Sequence, residues 1–65
     1  MATQKEIRCK DGLTVTQWYD YHTRSFVTQW KDQAGTQVGD ADYDGSKESA
    51  AFTLDQFIRC AGGRI

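Results

Sequence analysis

At Ser46 the hydrophobic period of the chain changes. Before it, the stretch "RSFVTQWK" sets Phe26, Thr28 and Trp30 against Val27, Gln29 and Lys31 in strict alternation. After it, Ala50, Leu54, Phe57, Ile58 and Ala61 recur at three- and four-residue steps. A period of two belongs to strands and a period near 3.6 to helices, so the chain is predicted to form sheet first and helix last. With 65 residues in all, the helix stripe has nothing but the sheet to lie on.

The ends of that helix are marked. Ser46 is a suitable N-cap, Glu48 places negative charge in the first turn, and Gly62-Gly63 supplies a left-handed stop. Phe52 falls about 150° from the centre of the stripe, so it either packs at the sheet edge or faces a partner.

In "KEIRCKDGLTVTQWY", Asp11-Gly12 separates two alternating runs and suits a type I′ turn, with Ile7 and Cys9 facing Leu13 and Val15. A short helix over residues 14–21 is the rival, disfavoured by the β-branched Thr14, Val15 and Thr16. Residues 24–31 and 36–43 read as a second hairpin around "DQAG", with a bulge or close approach at Gly39. The predicted fold is α+β: one domain over 1–65, a small antiparallel meander of three to four strands with one C-terminal helix packed on one face.

A domain this small buries only about 60% of the surface its unfolded chain exposes. Ligand pockets of about 300 Å³ or more need walls that such a chain struggles to provide. A non-enzymatic binding protein without a cofactor, acting as a monomer, is the expectation. His22 has no cysteine or serine partner at a catalytic spacing, and its setting is that of a turn residue. Two cysteines and one histidine do not complete a zinc site. Cys9 and Cys60 are expected as reduced thiols, a disulfide being the alternative. The apolar segments are too short to span a bilayer, and no apolar run follows Lys5, Arg8 and Lys10 as a secretory signal would require. A cytoplasmic setting is expected.

Net charge is −1, unevenly spread: residues 1–31 hold five Lys/Arg and three Asp/Glu, whereas residues 32–65 hold three and six. From Asp32 to Asp55 the count is six acids to one base, Lys47, which implies a local acidic field. Its centre is "DADYDG", with Asp40, Asp42 and Asp44 at alternate positions before Gly45.

Three readings compete for this motif. As the start of a calcium loop it matches positions one, three, five and six, and Glu48 is tolerable at position nine. Ala51 stands at position twelve, where a bidentate Glu should close the shell. As a strand it sets three carboxylates on one face at about 6.6–6.8 Å intervals, a pitch resembling successive phosphates of a nucleic acid, with the side chains pointing away from the helix stripe. As plain surface it is a set of solvated charges that discourages edge pairing. Like charges so close cost stability that a marginal domain can ill spare, which favours function. The candidate contacts are Asp40, Asp42, Asp44 and Glu48, with Asp32 and Asp55 as outer contributors and Tyr43 as an aromatic anchor. Trp18, Tyr19, Tyr21, Phe26 and Trp30 form an alternative stacking platform for single-stranded nucleic acid, although Phe26 and Trp30 have the spacing of core residues.

The strand, strand, helix order through "RSFVTQWKDQAGTQVGDADYDGSKESAAF" resembles the arm-type DNA-binding domains of integrases. That resemblance implies a small sheet that reads a groove, here with Lys5, Arg8, Lys10, Arg24 and Lys31; it departs in the acidic last strand, which phosphates would repel. In its size, its "GDADYDG" strand end and its sheet-and-helix pattern, the chain also resembles the small phage-encoded anti-CRISPR proteins, in particular type I-C inhibitors thought to imitate duplex DNA. This second resemblance implies a stoichiometric inhibitor in the bacterial host cell. It would occupy the DNA- or PAM-recognition surface of a CRISPR effector complex such as Cascade, a basic protein surface, with no direct contact to nucleic acid or membrane. The calcium module is the third reading.

Overall fold

The computed structural model describes residues 4–65. Four strands, β1 (Lys5–Arg8), β2 (Thr14–Asp20), β3 (Ser25–Lys31) and β4 (Gln37–Asp44), form one antiparallel sheet in the order β1-β2-β3-β4. The helix α1 (Lys47–Cys60) follows and packs on one face. The predicted meander with a C-terminal helix is therefore the observed fold, with four strands. Residues 14–20 are strand, as their β-branched content favours. Among the described residues no helix is long and apolar enough to cross a membrane.

Register decides which side chains α1 covers. Ile7 pairs with Val15, Val15 with Trp30, Gln17 with Thr28 and Tyr19 with Phe26, and these rows lie under the helix. Val15 and Cys9 are fully buried against Leu54, Phe57, Ile58 and Ala61. Two polar side chains fasten helix to sheet. The Trp30 indole stacks on Phe57 at 4.1 Å between centroids while its Nε1 donates to the Phe57 carbonyl at 3.0 Å. Gln17 Nε2 donates to Thr28 Oγ1 and to the Ala50 carbonyl, both at 2.8 Å, so its buried amide is satisfied.

The helix ends match the sequence reading. Ser46 Oγ accepts from the Ser49 amide at 3.2 Å, and Gly62 and Gly63 have φ of +86° and +91°. The tail then does something alternation does not disclose. It returns along the first turn: the Lys10 amide donates to the Gly63 carbonyl (2.9 Å), the Asp11 amide to Ala61 (3.0 Å) and the Ile65 amide to Arg8 (3.2 Å), with Cys9 and Arg64 bridged antiparallel. This clasp covers the end of β1.

It also changes the first turn. The expected type I′ geometry needs positive φ at both central residues, and Asp11 is not in that region, whereas Gly12 is at +84°. The Gly12 amide donates to the Cys9 carbonyl and the Cys9 amide to Leu13, so four residues turn and Gly12 then carries the left-handed step. With the Lys10 and Asp11 amides engaged by the tail, the tighter turn is not used.

Candidate acidic edge

β4 is an outer strand, and "DADYDG" runs along it rather than around a loop. Asp40 to Asp44 spans about 13 Å at strand rise, and Gly45, unlike the glycine of a calcium loop, is not among the positive-φ residues. Three carboxylates drawn out in this way do not converge on one ion whose ligands stand about 2.4 Å away.

The expected single row of three aspartates is corrected by a bulge. Asp44 pairs with Phe26 and Asp42 with Thr28, but the next pair is Trp30 with Val38, so residues 39–41 stand opposite Gln29 alone. Gly39 sits at φ +72°, and a Cβ there would meet the Trp30 ring at 3.8 Å. Of the bulge or close approach expected at this glycine, the bulge occurs, and the contact with Trp30 is an ordinary van der Waals one. Asp42 and Asp44 thus share a face, while Asp40 falls in the bulge without a ladder partner. That face is also not the one expected: pairing with Thr28 and Phe26 puts Asp42 and Asp44 on the side that carries α1. Tyr43, paired with Val27, lies on the other side and is 57% exposed.

The acids divide by what they bond. Asp32 Oδ1 accepts from the amides of Ala34 and Thr36, both at 2.9 Å, so it organises the β3–β4 turn, at the opposite end of β4 from Asp44. Asp55 is ion-paired with Arg59 at 3.0 Å one helical turn away. Both of these candidate outer contributors are thus engaged within the chain. Among the described residues no Lys or Arg lies within ion-pairing distance of Asp40, Asp42, Asp44 or Glu48. Glu48, in the first turn of α1, follows directly on the end of β4 and extends the same negative field.

The edge is also blunted. Asp42 Oδ1 accepts from the Tyr43 amide at 3.1 Å and Gln37 Nε2 donates to the Gly39 carbonyl at 3.0 Å. Side chains of β4 therefore occupy backbone groups of the strand itself, and together with the bulge they oppose pairing with a further strand.

The remaining candidates are scattered. Lys5 pairs with Gln17 on the helix side, Arg8 with Thr14 and Lys31 with Gln37 on the open side; Lys10 is in the first turn and Arg24 in the distant β2–β3 loop. The five cations do not form one stripe. Tyr19, Phe26 and Trp30 lie on the helix side, Tyr19 making edge contacts with Phe26 (5.0 Å) and Tyr21 (4.8 Å). Trp18 faces the open side, opposite Val27. His22 is in the β2–β3 loop, its amide capped by Asp20 Oδ1, and Phe52 is 67% exposed. Cys9 is buried and Cys60 exposed, and they are not bridged. A half-open groove of about 390 Å³ between the first turn, Asp32, Gln33 and Ile65 is roomier than chain length suggested, because the returning tail builds one of its walls. Among the described residues no group of three His, Cys, Asp or Glu side chains is placed to hold a metal.

Comparison with protein-family models, curated proteins and solved structures finds no match to this chain.

Proposed function

We propose that the protein is a non-enzymatic binding protein whose acidic β4 edge and first helical turn dock on a basic surface built to hold nucleic acid. One observation carries this reading. Asp32 and Asp55 are tied into a turn and a helical ion pair, whereas Asp40, Asp42 and Glu48 are exposed beside Asp44 with no Lys or Arg in pairing distance among the described residues. A partner that supplies Lys or Arg side chains relieves the repulsion among them. The blunted edge turns the contact toward side chains rather than strand pairing. The resemblance to small phage-encoded inhibitors makes a type I-C CRISPR effector complex the first partner to test.

The test is competition. The protein should displace duplex DNA from the purified effector, quickly and with strong salt dependence. The double variant Asp40→Lys, Asp42→Lys should bind more than tenfold more weakly, since close interfacial charge pairs couple by roughly 1.5–7 kcal/mol. A parent that does not compete removes the CRISPR assignment. A folded double variant that competes as well as the parent removes the acidic edge itself.

A further inference from the structure

We propose that the sheet face opposite α1 binds a short single strand of nucleic acid, independently of the acidic edge. α1 covers one face only, and register arranges the other in cross-strand rows. One row sets Trp18 and Tyr43 on either side of Val27, which is 2% exposed. The next holds Thr16 and Gln29, and the row beyond it holds Arg8 and Lys31.

Each row offers a different chemistry. Two aromatic rings flanking a buried valine make a platform on which any base can stack. Gln29 and Thr16, 8% and 1% exposed, form a closed floor between the rows, which leaves the two rings and the cations as the contacting groups. Arg8 and Lys31 lie about 13 Å from the aromatic row, four residues along the strands, where they can meet a phosphate. The acids near this path are Glu6, in the row of Thr16 and Gln29, Asp40, in the bulge opposite Gln29, and Asp20, whose Oδ1 caps the β2–β3 turn; a phosphate is therefore met one row further along, at Arg8 and Lys31.

The alternatives fit less well. A protein packed on this face as a second sheet would need an apolar inner surface, and Val27 is the one aliphatic side chain in these rows. A duplex keeps its bases paired and stacked on one another, whereas a single strand can lay them on the two rings. A second copy of the chain is an outcome the test must distinguish.

The experiment is anisotropy titration of a labelled twelve-residue oligo(dT) at low salt, beside a duplex of the same length. Saturable binding that favours the single strand is expected. Tyr43→Ala, at an exposed position, and Trp18→Ala should each weaken it about fivefold to a hundredfold, with Trp18→Tyr restoring most of the loss. Arg8→Glu with Lys31→Glu should abolish it and flatten its salt dependence. Circular dichroism melts identify any variant that fails to fold, and if Trp18→Ala is one of them, Tyr43→Ala alone decides the question. Absence of saturable binding, equal affinity for duplex, or a folded Tyr43→Ala that binds like the parent overturns the proposal. So does a concentration-dependent dimer at the titration concentrations that Tyr43→Ala disrupts.

Discussion

Asp44 holds one carboxylate oxygen, Oδ2, buried and without a hydrogen-bond partner. A charge partly withdrawn from water and left uncompensated costs stability. The variant Asp44→Asn should therefore stabilise the fold, by about 1 kcal/mol, seen as a higher urea midpoint with an unchanged slope; a loss of stability would show that the carboxylate has a partner in solution. The thiols separate as cleanly. Burial raises the Cys9 pKa above the ordinary thiol value; the Val15 backbone hydrogen bond and Arg64 oppose this, and Asp11 adds to it. The fold thus favours the neutral thiol. Its contribution is complete below about pH 8.5, where an unfolded thiol begins to ionise, and is lost as pH rises through the higher folded value. Stability should fall more steeply between pH 8 and 10 in the parent than in Cys9→Ala, while Cys60 alone reacts rapidly with a thiol reagent in native protein.

At the scale of elements, what sequence discloses depends on how local the cause is. The helix was legible because its cap, dipole charge, stripe and stop all lie within residues 46–63. The bulge at Gly39 was legible as a glycine inside a strand pattern, but its consequence was not. Two extra residues in β4 preserve the parity of the alternation, so Val38 and Asp42 stay on one side of the sheet while Asp40 loses its ladder position. Which side carried the helix depended on pairing across to Phe26 and Thr28, contacts that no window of β4 contains. The first turn shows the same limit, since its amides are taken by a tail some fifty residues away in sequence. At that tail, Gly62→Ala forces a left-handed alanine at φ +86° and should cost about 1–2 kcal/mol. Gly45→Ala, with no contact in its way and no positive φ, is the matched substitution expected to cost little. Equal urea midpoints for the two would count against the clasp geometry.

At the scale of the whole molecule, charge is sorted by face and end rather than by amount. The chain carries a net charge of only −1, yet four of its nine acids, Asp40, Asp42, Asp44 and Glu48, collect along β4 and the first turn of α1, while Arg8 and Lys31 stand on the face opposite the helix. Composition announced the acidic segment between Asp32 and Asp55; which of its members were committed to a turn or a helical pair required the folded chain. The same geometry bears on calcium. Carboxylates strung along a strand should leave the melting temperature unchanged in millimolar calcium relative to equal magnesium, and a rise of several degrees specific to calcium would contradict that placement. The clasp between the tail and β1 has a mechanical consequence as well. Because Arg64 runs antiparallel to Cys9, a pull applied at residues 4 and 65 loads the connecting hydrogen bonds one after another rather than together, so under tension the sheet opens first like a zip at its β1 margin.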